Sequence, residues 1–114
     1  MFQLTNSGSS WQFNLLYSLT NSGGSTCGPF GTLLMDSAGN LYGTTRCDGA
    51  NQQGSVFELS PSGSGWTYRT LHDFSGPDGK GPWGDLVPDS NGNLYGTTSL
   101  GGQYGLGVIF EITP

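Results

Sequence analysis

"DSAGNLYGTT" at residues 36–45 and "DSNGNLYGTT" at residues 89–98 differ at one position and stand 53 apart in a chain of 114 residues. The likeness spreads outward from this decamer. Residues 31–61, "GTLLMDSAGNLYGTTRCDGANQQGSVFELSP", match residues 84–114, "GDLVPDSNGNLYGTTSLGGQYGLGVIFEITP", at the same offset of 53 throughout. Upstream, "FQLTNSGSSWQFNLLYSL" (residues 2–19) matches "FELSPSGSGWTYRTLHDF" (residues 57–74) at an offset of 55. The two-residue change falls in the connection that follows, where few packing constraints act.

Each repeat divides into strand-sized pieces. They are the apolar stretch 32–35 (85–87 in the second copy), 40–44 (93–97), 55–59 (108–112) and 66–71, whose counterpart is 11–16. In the third piece Phe57 and Leu59 point one way and Glu58 the other, the period-2 alternation of a strand. In the fourth, Trp66, Tyr68 and Thr70 alternate with Thr67, Arg69 and Leu71. No segment holds a helical period over three turns, so no helix is expected. A period of about 50 residues carrying four short strands is the signature of a propeller blade. The fold class is therefore all-β, built of four-stranded antiparallel blades.

Composition agrees. Glycine supplies 21 residues, charged residues only 10%, and there are three Trp, five Tyr and six Phe. That mixture suits short strands joined by tight turns and not a disordered chain, which is charge-rich and poor in aromatics. The net charge is −5 with three basic residues, Arg46, Arg69 and Lys80, so there is no patch to neutralise nucleic acid or an anionic membrane. No apolar run approaches the roughly 18 residues of a membrane helix. Met1 is followed at once by strand-like "FQLT", so no leader peptide is expected within the chain.

The pattern "GxLxxDSxGNLYGTT" followed by "GGxxGxGxVFxLxP", which stands here at residues 31–45 with 54–61 and at residues 84–98 with "GGQYGLGVIFEITP", resembles the bacterial GloVer tandem repeats of secreted and surface proteins. The "DSAGNLYG" turn is also similar to the inner hairpin of NHL-type propellers. The resemblance covers nearly the whole chain. It implies a propeller-like fold located outside the cytoplasm or at the cell surface, and it implies no defined chemistry.

With strands lettered A to D from the propeller axis outward, the chain reads C D, A B C D, A B C. The single repeat domain, residues 1–114, thus holds a partial blade (1–19), a complete blade (31–74) and a second partial blade (84–114). Two repeats cannot close a propeller, and the partial blades would leave open sheet edges and exposed blade faces. The economical solution is completion by other copies, head to tail, which closes into a ring of three or four chains or runs on as a filament. The C strand occurs at both ends, so a simple exchange leaves one surplus; a fragment of a longer array would read the same way.

Cys27 and Cys47 are the only cysteines. An even count in a charge-poor, glycine-rich chain points to a disulfide, with two free thiols as the alternative. They and one histidine do not make a zinc ligand set. Asp89, Asn91 and Asn93 around Gly92, with Asp36 and Asn40 around Gly39, carry oxygen side chains at alternate positions that suggest a calcium loop. Gly stands at the fourth place, however, and Leu100 stands where a twelfth-position Glu belongs. They read instead as hairpin turns in which Asp caps its own turn. No metal and no cofactor is expected.

Enzymatic activity is not expected either. Glu58 and Glu111 are repeat equivalents and read as scaffold. His72 beside Asp73 is the weak basis of a remote hydrolase reading, since Tyr17 replaces it in the other copy. Most aromatics read as packing residues. Trp83 and Tyr104 stand out because they lie in loops among glycines. With Asp85, Gln103 and Asn51 they would form a glycan-binding surface, aromatic faces holding sugar CH groups and polar groups the hydroxyls. The expected function is thus a non-enzymatic, self-assembling structural module, with carbohydrate binding as the alternative.

Overall fold

A computed structural model describes residues 1–19 and 27–114. The strands are β1 (Phe2–Asn6), β2 (Trp11–Leu15), β3 (Pro29–Met35), β4 (Leu41–Thr45), β5 (Ser55–Ser62), β6 (Gly65–Asp73), β7 (Lys80–Pro82), β8 (Val87–Pro88), β9 (Leu94–Leu100) and β10 (Ile109–Ile112). No helix occurs among the described residues.

The strands form three antiparallel groups: a hairpin β1-β2, a central sheet in the order β3-β4-β5-β6, and a C-terminal sheet β10-β9-β7 in which β8 also pairs with β9. The central sheet is a sequential meander, because its connections are too short for a crossover. The inner strands differ from the expected ones. The strand expected over 32–35 begins earlier, at Pro29, and is bulged between Phe30 and Leu34. Its counterpart, expected over 85–87, is broken into β7 and β8. One cause serves both: Gly31 and Gly84, 53 apart, take φ of 90° and 110°, which turns the chain out of the ladder. The alternation expected along β6 also fails at Leu71, where a register shift sets Val56 opposite His72.

Cross-strand pairing assigns two faces to the central sheet. Leu34, Tyr42, Glu58 and Arg69 lie in one row, with Thr44, Val56 and His72 in the next, on what we term the Tyr42 face. Leu41, Gly43, Phe57, Leu59 and Tyr68 lie on the opposite, Phe57 face. β5 is buried on both faces over Ser55–Leu59, with Phe57 and Leu59 at 0% exposure. The Phe57 ring covers Gly43, where a Cβ would sit 2.6 Å from its Cζ. In the C-terminal sheet the ring of Phe110 covers Gly96 in the same way. Glycine thus recurs in "LYGTT" because an aromatic from the neighbouring strand lies flat across it.

The core sets the order of the sheets. Tyr42, Val56 and Phe74 of the central unit pack with Leu86 and Leu94 of the C-terminal one, flanked by Leu34, Leu71, Phe110 and Ile112. Leu86, Leu94, Phe110 and Ile112 are the equivalents of Leu33, Leu41, Phe57 and Leu59. The Tyr42 face of the central sheet therefore receives the Phe110 face of the C-terminal sheet. The hairpin lies on the other side. Its Tyr17 stacks on Tyr68 at 4.7 Å, and Met1 and Phe2 share a cavity with Gly43 and Leu33.

Candidate functional site

The two decamers form the same turn twice. Asp36 Oδ1 accepts from the backbone N–H groups of Ala38 and Asn40, both at 2.9 Å, and Oδ2 accepts from Asn40 Nδ2 at 2.8 Å and from the Tyr42 hydroxyl at 3.0 Å. Asp89 repeats every contact with Asn91, Asn93 and Tyr95. Gly39 and Gly92 take φ of 85° and 87°, as the turn requires. Desolvation opposes ionisation of Asp36, but the Asn40 amide, the Asn40 and Ala38 N–H groups and the Tyr42 hydroxyl outweigh it and hold the carboxyl below its usual range. The Asn93 amide is foremost in doing the same for Asp89. These oxygens are spent on shaping the turn.

The Tyr42 hydroxyl also lies 3.3 Å from Glu58 Oε1, so its proton sits between two carboxylates. Burial foremost, then Asp36 and Glu58, push the phenol up to about 12. Glu58 is buried and is held by Arg69, whose Nε donates to Oε2 at 2.8 Å. In the unfolded chain Tyr42 ionises near 10. The folded form keeps its proton longer, so the associated stability is complete below about 10 and is lost as pH rises from about 10 to about 12. Tyr42→Phe is expected to flatten this alkaline limb in pH-dependent denaturation. An unchanged limb would sink the assignment.

The Cys27–Cys47 disulfide is formed, with Cα atoms 4.7 Å apart. It joins the residues just before β3 and just after β4. In the second repeat the equivalent residues, Lys80 and Leu100, are paired across β7 and β9. The bond substitutes covalently for a ladder pair.

The meander gathers the loops 46–54, 74–79 and 101–108 at one end, and hydrogen bonds tie them together: Asn51 Nδ2 to Phe74 O, Gly81 N to Gln53 O and Gly102 N to Gly76 O. Asn51 is thus a loop clamp. Trp83 is 52% exposed, but its ring stacks on Phe30 at 5.6 Å and carries the Arg46 guanidinium 4.8 Å from its centroid. Asp85 Oδ1 accepts from the Thr32 N–H at 2.7 Å, bridging the two repeats. Tyr104, 80% exposed, and Gln103 project from the 101–108 loop. His72 does not engage Asp73. Its Nε2 lies 2.8 Å from Asp78 Oδ2, while Ser75 Oγ donates to Asp78 Oδ1, so the carboxylate stands between serine and imidazole and the hydroxyl faces the carboxylate, not the ring. Asp73 instead accepts from Ala50 N.

Sequence reasoning expected exposed sheet faces at both ends of the chain but did not name the residues that form the most conspicuous one. Phe2, Leu4, Trp11, Phe13 and Leu15 share one face of the hairpin and are 53–67% exposed. The opposite face carries Gln3, Thr5, Gln12 and Asn14. The period-2 pattern of "FQL" and "WQFNL" held the signal. At the other end, the Tyr95 face of the C-terminal sheet exposes Val87 at 61% and Ile109 at 84%. Beside β3 and β4 there is a cavity of about 320 Å³ lined by Met1, Phe2, Pro29–Leu33, Gly43 and Thr44. Patches of this kind mark association surfaces.

Comparison with known proteins returns no match among curated proteins and none among solved structures. The family model described as the Gloeobacter/Verrucomicrobia repeat matches residues 1–114. The chain belongs to that repeat family.

Proposed function

We propose that the chain is a non-enzymatic structural module of propeller-type blades that works outside the cytoplasm and assembles head to tail through its partial sheets. The observation that carries this reading is complementarity. The hairpin supplies the two outer strands of a sheet, β1 and β2 being the equivalents of β5 and β6 in the same register. The C-terminal sheet supplies the inner strands and the third, with β10 at its edge among the described residues. Together they make one sheet, in which the equivalent strands β1 and β10 compete for a single place. The disulfide supports the extracellular setting, since such bonds persist in oxidising compartments.

The test is the solution mass of the oxidised chain at micromolar concentration. Three or four times the 12.0 kDa of one chain is expected, or a heterogeneous filament. A monomer at every concentration would overturn the reading. Because each chain carries −5, added salt is expected to favour assembly.

Carbohydrate binding is the second reading. It is favoured by the exposure of Tyr104 beside Gln103 on a glycine-flanked loop. Tyr104→Ala is expected to abolish any glycan-array signal, and an array on which the unaltered chain binds nothing removes this reading.

A further inference from the structure

Building on the assembly reading, the geometry points to a defined joint: the cavity lined by Thr32, Leu33 and Gly43 seats the β7–β9 portion of a second copy's C-terminal sheet. The template for the joint lies within the chain. The Tyr42 face of the central sheet rests on the Phe110 face of the C-terminal sheet. Phe30 stacks on Trp83, and the Thr32 N–H donates to Asp85 across the same seam. Each of these contacts links a residue of one repeat to the next repeat in chain order.

Continuing that order by one step pairs two surfaces that the single chain leaves open. On the donor side is the Tyr95 face, whose Val87 is the equivalent of Leu34, a residue packed at the internal seam. Val87 is 61% exposed. On the receiving side is the Phe57 face of the central sheet. The hairpin covers it toward β6, where Tyr17 meets Tyr68, and the cavity remains over β3 and β4. A second copy docked in register sets its Trp83 against Phe30 and its Asp85 N–H toward the Thr32 hydroxyl, the counterparts of the internal contacts. The hairpin's apolar face, Phe2 to Leu15, then lies over β6 of that second copy, beyond the edge that β10 forms among the described residues. One docking event covers both the exposed valine and the exposed hairpin. The partner is a second copy, which carries the matching repeat and presents both complementary surfaces.

A head-to-tail joint can be blocked from either side independently. Thr32→Arg fills the seat, and Val87→Arg charges the docking face; both side chains are exposed, so circular dichroism should report an unchanged fold. Each variant alone is expected to be monomeric at concentrations where the unaltered chain assembles. An equimolar mixture is expected to give a dimer of one chain of each kind and nothing larger, since one intact seat and one intact docking face remain between them. Assembly by the unaltered chain with variants that still assemble, or a mixture that stays monomeric, overturns this joint and leaves the assembly reading in place. A monomeric unaltered chain overturns both. If either variant fails to fold, amide exchange in the unaltered chain decides: the Asp85 N–H is expected to gain protection with concentration, and no gain overturns the joint.

Discussion

Phe57→Ala is expected to destabilise the folded chain by about 3–5 kcal/mol, the range for emptying a fully buried phenylalanine site. The ring is at 0% exposure, stacks on Tyr68 at 5.4 Å and covers Gly43, so its removal opens a void between β4, β5 and β6 that backbone glycine cannot fill. The repeat supplies its own controls. Phe110 is the same residue one repeat on: it covers Gly96 and packs edge-on to Phe74 at 5.2 Å, but it is only partly buried, because β10 is an edge strand of its sheet among the described residues. Phe110→Ala is expected to cost less, about 1–3 kcal/mol. Phe2, the third equivalent, is 59% exposed and touches Phe13. Phe2→Ala should cost under about 1 kcal/mol in the monomer. Urea denaturation of the three variants at dilute concentration checks the order. Equal losses would show that burial of these positions is not graded along the chain.

Reduction of Cys27–Cys47, or replacement of both by serine, is expected to cost about 3 kcal/mol in the chain-entropy account, because the bond closes a loop spanning a sequence separation of 20. At this chain size that is a fall in Tm on the order of 10 °C. The bond holds the entry of β3 to the exit of β4, where the second repeat relies on the Lys80–Leu100 pair alone. The central sheet should therefore lose its β3 edge first on reduction. Thermal unfolding with and without reductant, followed by amide exchange along β3, measures both effects. An unchanged Tm would contradict a structural role for the bond.

Strand placement was legible in the sequence wherever local alternation and the repeat agreed. The pieces over 40–44, 55–59 and 66–71 correspond to β4, β5 and β6, and the decamers correspond to turns whose bonds are local to within six residues. The breaks in the inner strands were not legible. They depend on backbone angles at Gly31 and Gly84, and glycine is as compatible with a straight strand as with a bulge until its neighbours are known. Nor were the partners of the candidate residues. Arg46 over Trp83, Asn51 on Phe74 O and His72 on Asp78 join loops distant in sequence, and pairing of that kind has no local pattern. Arg69 on Glu58 crosses neighbouring strands and depends on their register.

By itself, then, the sequence determined the kind of sheet, the placement of the strands outside the broken inner ones and the chemistry of the turns, because pleat periodicity and side-chain-to-backbone bonds act over a few residues. Tertiary structure alone decided which face of each sheet meets which. That choice rests on whether a row such as Phe2, Leu4, Phe13 and Leu15 finds a neighbouring sheet, and the hairpin shows a row with the right alternation left uncovered. Alternation creates an apolar face; only the arrangement of whole sheets removes it from water.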